Sequence, residues 1–215
     1  MFVYYPNISK LLLFLQFVCV ITAIFRYKSL NKTNWNYFVF YLALIFIQEI
    51  SNKKLLALLN ISKVDYFAYF GVPIEFVFFF WLYAIQSLKN TKLFIFCLLL
   101  YLSSFFLSDS YFEKLKIVNS INYTIGTLIL FLLVILEFFK QIKNDNILEF
   151  KQNKMFYINI GVIIFYIGNI PFMGLYKSLL NNPSLWSNYY LYFLLSNCLM
   201  YLLFTASFIW GKTKP

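Results

Sequence analysis

The sequence lacks histidine altogether and contains a single arginine, Arg26, among its 215 residues. Charged residues make up 12% of the chain, about half of the roughly 25% that is usual in a soluble domain. So little polar surface cannot cover the apolar residues in water, which excludes a soluble monomer. The missing histidine removes the commonest general base and the commonest protein ligand for metals. The sequence therefore predicts neither an enzyme nor a metal site.

Other features of catalytic and metal-binding proteins are also scarce. Cys19, Cys97 and Cys198 lie alone in three apolar segments, without the paired spacing of a zinc site or a disulfide framework. The chain contains no glycine-rich phosphate loop, no nucleophile elbow and no zinc-protease helix. No basic run is dense enough to form a nucleic-acid-binding surface. We therefore expect no nucleic-acid partner.

Hydrophobic residues are abundant instead, at 62% of the chain with 28 Phe and 18 Tyr. Seven stretches contain the roughly 20 apolar residues that a membrane-spanning helix needs. These stretches are continuous rather than alternating, which favours helices over a barrel. The sequence predicts an all-α polytopic membrane protein, a single domain formed by a bundle of seven transmembrane helices, with no soluble domain. The predicted spans are residues 8–27, 35–59, 64–88, 92–108, 117–142, 155–179 and 186–211.

The second predicted span is interrupted by polar residues that begin at Gln48 and Glu49. Either the helix ends near Ile50, or it continues to about Leu59 and buries Glu49. Glu49 and Lys53 are four residues apart, in the order that favours an ion pair along a helix. We therefore favour a continuous helix.

Lysine and arginine are unevenly distributed between the two sets of loops. The first, third and fifth loops and the C-terminal tail carry 11 of the 18 basic residues. Because basic loops stay in the cytoplasm, the sequence predicts an outside N-terminus and a cytoplasmic C-terminus in a bacterial inner membrane. The excess of positive charge is then explained by topology and by contact with membrane lipid.

The fifth loop is the longest predicted cytoplasmic surface. It carries four lysines and two acidic residues, and it is a candidate docking surface for a cytoplasmic signalling protein. A solvated loop that anchors the chain to lipid is the alternative. The candidate docking residues are Lys140, Lys143, Lys151 and Lys154.

A few polar residues lie near the middle of the predicted spans. A charged group at this depth costs about 2.5–3.5 kcal/mol on insertion scales, so such residues usually face the bundle interior and often mark function. Glu75 is the foremost candidate because it follows Gly71 and Pro73, and proline leaves a backbone carbonyl free. The alternative is interhelical hydrogen bonding without a ligand. The candidate intramembrane polar site comprises Glu75, Glu49, Gln16, Asn169 and Asn197.

Three residues are candidate hinges, because glycine and proline weaken a helix. They are Pro73, Gly168 and Pro171. Glu137 and Lys140 lie near the end of the fifth span, where charge can reach the headgroups, and we interpret both as interfacial. The last span contains no lysine before Lys212, which excludes a retinal Schiff base, and no cofactor is expected.

Several motifs resemble a known family. They are Tyr123-Thr-Ile-Gly126, Asp145-Asn-Ile-Leu148, Met155-Phe-Tyr-Ile-Asn-Ile-Gly161 and Phe165-Tyr-Ile-Gly-Asn-Ile-Pro-Phe172. The chain is similar to a group of small uncharacterised bacterial inner-membrane proteins with seven transmembrane helices. Gln48 and Tyr157 depart from the family pattern, which has Asn and Trp there. Members are often encoded beside two-component regulators, so the resemblance implies a signalling connection.

Three functions remain open at this point. The first is a sensory or signalling module that responds to a lipid, a hydrophobic ligand or the membrane state and relays this to a cytoplasmic partner. The second is a small-solute transporter or proton-coupled carrier that uses Glu75. The third is a membrane-embedded lipid enzyme, which the absence of histidine and of any nucleophile–base pair disfavours.

Overall fold

The computed structural model describes residues 3–30, 34–60, 66–111, 120–144, 150–175 and 179–212. In these ranges the chain is all-α, with seven helices and no strand. A short 3₁₀ turn, Phe150–Gln152, precedes the sixth helix. The helices are α1 (Pro6–Leu30), α2 (Asn36–Leu59), α3 (Phe67–Ser87), α4 (Thr91–Tyr111), α5 (Ser120–Lys143), α6 (Lys154–Gly174) and α7 (Pro183–Ile209).

Each predicted span overlaps one of these helices, and five of the seven are long and apolar enough to cross a membrane. These five are α1, α3, α5, α6 and α7. The apolar parts of α2 and α4 are shorter, at Asn36–Ser51 and Thr91–Phe106. These two stretches include only residues whose side chains the structure describes, and the helices themselves continue to Leu59 and Tyr111. Five of the described helices could therefore cross a membrane by length and composition, while a count of seven spans remains a prediction.

Helix α2 continues through the polar interruption as far as Leu59, as favoured from the sequence. The burial expected for Glu49 is wrong, because its side chain is exposed. The buried residues Phe38, Leu42 and Ile45 lie along one stripe of α2, and that stripe ends one turn before Glu49. Continuity of the helix therefore did not bring the carboxylate into the interior.

The chain divides into two compact units, defined here as unit 1 and unit 2. Unit 1 contains residues 1–51, 141–169 and 183–215, and unit 2 contains residues 52–140 and 170–182. Unit 1 therefore holds α1, α7 and the first part of α6, while unit 2 holds α3, α4 and most of α5. The chain passes from unit 1 to unit 2 within α6, immediately after Asn169.

In unit 1, helices α1 and α7 run parallel. The Val3 amide donates to the Ser187 hydroxyl (3.0 Å) at one end, and Arg26 donates to the Ile209 carbonyl (3.3 Å) at the other. Between the helices of this unit, the ring of Phe38 packs against Phe204 and Phe208, with centroids 5.3 and 5.4 Å away. These interleaved rings form the core between α2 and α7.

In unit 2, an aromatic cluster joins α3, α4 and α5. Phe76 is fully buried, and its ring lies 5.4 Å from Tyr101 and 5.6 Å from Tyr123. Gly126 lets α5 approach this ring, because a Cβ atom at that position would lie 2.8 Å from the Phe76 side chain. The abundant phenylalanine of the sequence thus includes true core residues as well as outward-facing ones such as Phe25, which is 83% exposed.

Candidate polar sites within the helices

Helix α6 is interrupted where two of the candidate hinges lie. A π-helical turn, Ile163–Ile167, is followed by a non-helical turn at Gly168 and Asn169. Helical geometry resumes at Ile170, and Pro171 has no N–H to bond the preceding turn. A π-helical turn also precedes the third candidate hinge, because Phe67–Gly71 comes directly before the segment that contains Pro73. Such turns are frequent at functional positions in helices.

The side chain of Asn169 bridges the interruption in α6. Its amide nitrogen donates to the backbone carbonyl of Phe165 and to the hydroxyl of Ser196 on α7 (3.1 Å). The Tyr192 hydroxyl, also on α7, donates to the Ile164 carbonyl (3.0 Å). The backbone oxygens near the π-helical turn therefore receive donors from side chains, which reduces the cost of breaking the helical ladder in an apolar interior.

Four of the five residues of the candidate polar site lie in unit 1, near one level of its helices. The contacts that pair α1 with α7 join residues 184 and 183 positions apart, so Gln16 is level with about residue 199 or 200. Asn197 is then about 3–5 Å away along the axis. Asn169 is bonded to the neighbour of Asn197, Ser196. Glu49 lies near the same level, since Phe46 on α2 contacts Phe17 on α1.

This level contains buried polar atoms that are not satisfied by the described residues. Gln16 is 5% exposed and Asn169 is fully buried, while Asn197 is half-buried. In each case a carboxamide oxygen has no hydrogen-bond partner within the described ranges. Three acceptors without donors at one level would suit a ligand that carries hydroxyl, amine or water donors. Glu49 is exposed and does not contribute to this set.

Glu75 belongs to unit 2 and is half-buried. It lies one residue before the fully buried Phe76 and interacts electrostatically with Tyr101 and Tyr123. The structure therefore places Glu75 at the edge of the aromatic cluster of unit 2.

Glu137, which the sequence placed at headgroup depth, is covered by a neighbouring helix, and its depth in the membrane stays a prediction. Its side chain is 2% exposed, and it accepts a hydrogen bond from the hydroxyl of Ser87, the last residue of α3. Lys140 is half-buried and donates to the backbone carbonyl of Ser87 (2.7 Å) and to its hydroxyl (3.1 Å). Ser87 is 50 residues from Glu137 in sequence, so no local pattern indicated this partner.

The four candidate docking lysines are not equivalent. Lys143 and Lys151 are exposed. Lys140 is bonded to Ser87, and Lys154 is 4% exposed with its ammonium nitrogen 5.0 Å from the centroid of the Trp35 ring. The predicted basic surface therefore retains two exposed lysines among its described residues, and the acidic residues of that loop lie outside the described ranges.

Sequence reasoning missed several residues that carry these polar contacts. Ser87, Tyr192 and Asn159 were not singled out, yet Asn159 is fully buried with both side-chain polar atoms unsatisfied among described residues. A polar residue flanked by apolar ones was the available signal for Asn159. Tyrosine is too common in this chain for Tyr192 to stand out. In the same ranges no three Cys, Asp or Glu residues are grouped as metal ligands would be.

Comparison with known proteins leaves the chain without an assigned relative. No family model matches it, no curated protein is similar to it, and no solved structure matches its fold.

Proposed function

We propose that this protein is a sensory or signalling module of the membrane, which responds to a lipid, a hydrophobic ligand or the membrane state through the interruption in α6. The observation that carries the proposal is the fully buried Asn169, which bridges the interruption with its amide nitrogen and leaves its carbonyl oxygen unpaired among described residues. The resemblance to proteins encoded beside two-component regulators points to the same function.

We assign the response to the interruption because specific side-chain hydrogen bonds hold it. Asn169 and Tyr192 supply the donors that hold the turn against α7. A ligand with an apolar body and a hydroxyl or amine donor would bond the free acceptors of Gln16, Asn169 or Asn197. A change in lipid packing would act on the same turn through its apolar surroundings. Either input would shift the equilibrium between two states of α6. In one the side-chain hydrogen bonds at the interruption are made, and in the other they are broken.

The conformational change would be transmitted to the cytoplasmic partner through the N-terminal part of α6. This part belongs to the same compact unit as α1 and α7, and it begins at Lys154, which is held by Trp35 and Phe208. Lys143 and Lys151 are exposed before α6 begins. We assign docking of a cytoplasmic signalling partner to these two lysines, with membrane lipid as the other partner of the chain.

Hydrogen–deuterium exchange of the full chain in lipid nanodiscs tests the proposal. Amides of residues 163–169 are expected to exchange at different rates in short-chain and long-chain phosphatidylglycerol, while amides of residues 198–204 do not change. Tyr192→Phe should raise exchange in residues 163–169 and remove its lipid dependence, and Tyr189→Phe is the matched control. Equal exchange at the interruption in every lipid would refute a membrane-state sensor.

A carrier coupled to Glu75 is the second candidate, supported by the position of Glu75 beside the buried tyrosines Tyr101 and Tyr123. A titratable group among buried hydroxyls is an arrangement in which a proton can be held. In proteoliposomes, Glu75→Gln should abolish a pH-dependent flux that the unmodified chain supports. If the unmodified chain moves neither protons nor solute, this function is excluded.

A further inference from the structure

The end of α3 brings a buried carboxylate and a half-buried ammonium group to one residue, Ser87. Of the acidic residues whose side chains the structure describes, Glu49 is exposed, Glu75 is half-buried and only Glu137 is buried. Glu137 and Lys140 are three residues apart on α5 and therefore share one face of that helix. Both side chains contact the same atom, the hydroxyl oxygen of Ser87.

The hydrogen bonds at Ser87 have a defined direction. The hydroxyl donates to the Glu137 carboxylate and accepts from the Lys140 ammonium. The ammonium also donates to the Ser87 carbonyl, which is left free because α3 ends at this residue. Lys140 is thus a cation held by a carbonyl, a hydroxyl and, through that hydroxyl, a carboxylate.

Capping of α3 explains only part of this arrangement. A lysine that bonds the last carbonyl of a helix needs no buried carboxylate, because the helix end itself attracts positive charge. Burying Glu137 has a cost that capping does not offset. Two further oxygens on the same turn are buried without partners among described residues, the hydroxyl of Tyr83 and the side-chain oxygen of Gln86. Tyr83 also interacts electrostatically with Glu137.

We propose that Glu137 and the hydroxyl and carbonyl oxygens of Ser87 form a binding site for a monovalent cation, with the Lys140 ammonium as its tethered occupant. The ligand set is made of oxygens, which suits a hard cation. An ammonium group is close to potassium in size, and its contacts of 2.7 and 3.1 Å show that the oxygens accept a cation of that size. A single described carboxylate balances one positive charge, which disfavours a divalent ion.

Exchange of the occupant conserves charge at the site. When a free cation binds, it replaces the Lys140 ammonium beside Glu137, and the site keeps the same net charge. Lys140 lies near the end of α5, so its long side chain can extend towards the lipid headgroups once it is released. The α3–α5 contact would then depend on the cation rather than on lysine. This inference does not rest on the proposed sensory function.

The decisive experiment uses the unmodified full chain in nanodiscs at constant pH and ionic strength. Potassium replaces choline in steps, and the modification of each lysine by a small amine-reactive ester is measured by mass spectrometry. The rate at Lys140 is expected to rise several-fold with potassium as the ammonium is displaced, while the rate at exposed Lys143 stays constant. An unchanged rate at Lys140 over the whole series would overturn the proposal.

Two substitutions separate a cation site from a simple helix cap. In Glu137→Gln the rate at Lys140 should be high already in choline and should no longer respond to potassium. Lys140→Met should unfold several degrees higher in potassium than in choline, because the vacated site now binds the ion. Lys143→Met is the matched control and should show no such difference. A Lys140→Met protein that is equally stable in both salts, or that folds in neither, contradicts the site.

Discussion

The hydroxyl oxygen of Tyr192 in α7 lies 3.0 Å from the backbone carbonyl oxygen of Ile164 in α6 and donates a hydrogen bond to it. This contact is possible because Gly168 has no side chain. A Cβ atom on residue 168 would overlap the Tyr192 hydroxyl and would lie 2.5 Å from the Ile164 oxygen. Glycine at this position therefore permits the interhelical bond as well as the turn.

Gly168→Ala is expected to destabilise the protein by about 1–3 kcal/mol, because the added methyl group displaces Tyr192 from its acceptor and overpacks the turn. Thermal unfolding followed by circular dichroism measures the loss. Gly174→Ala is the matched control, since the nearest atom to a new Cβ there is the Thr124 hydroxyl at 3.6 Å. Equal stability of the two variants would contradict the close approach at Gly168.

Gly126→Ala should destabilise unit 2 by about 1–3 kcal/mol, because the new methyl group meets the ring of Phe76 at 2.8 Å. The smaller side chain in the double variant Gly126→Ala, Phe76→Leu should recover part of that loss. Denaturant unfolding of the two single variants and the double variant measures the coupling. Strictly additive effects would show that the two residues are not in contact.

Asn169→Asp is expected to weaken the interruption in α6, because an acceptor replaces the amide nitrogen that donates to Phe165 and Ser196. Losing these two hydrogen bonds in an apolar interior costs about 1–3 kcal/mol, although Phe165 and Ser196 each keep a backbone partner. Asn197→Asp is the comparison, since the side-chain nitrogen of Asn197, which this change removes, donates to no described residue. Exchange of amides 163–169 should increase more in the Asn169 variant, and the reverse order would contradict the assignment.

The predicted orientation can be checked with single cysteines in the loops. Asn60→Cys should react with an impermeant maleimide in intact spheroplasts, because the second loop is predicted to lie outside. Lys89→Cys should react only after the membrane is opened. The native cysteines Cys19, Cys97 and Cys198 are buried and give little background. Reaction of both engineered positions from the same side would contradict the seven-span topology.

Helix α5 shows which properties could be predicted from the sequence and which could not. The apolar run that predicted the helix is local, so residues 117–142 were a good estimate of Ser120–Lys143. The position of Glu137 near one end of that run suggested the headgroup region. Its burial is a separate property that follows from contact with Ser87, a residue too distant along the chain for helical periodicity to indicate. Helix ends are informative about membrane depth but not about which neighbour covers a side chain.

The sequence by itself determined that this is a helical protein with membrane-like segments, which parts of the described chain are helical, and that α2 is continuous. These properties depend on runs of neighbouring residues and on the need to pair every backbone amide in an apolar medium. Only the tertiary structure decided that Glu49 is exposed, that Glu137 is buried with Ser87 and Lys140, and that Asn169 bonds α7. Each depends on residues far apart in the chain, because burial and hydrogen bonding of a side chain are set by the helices packed against it.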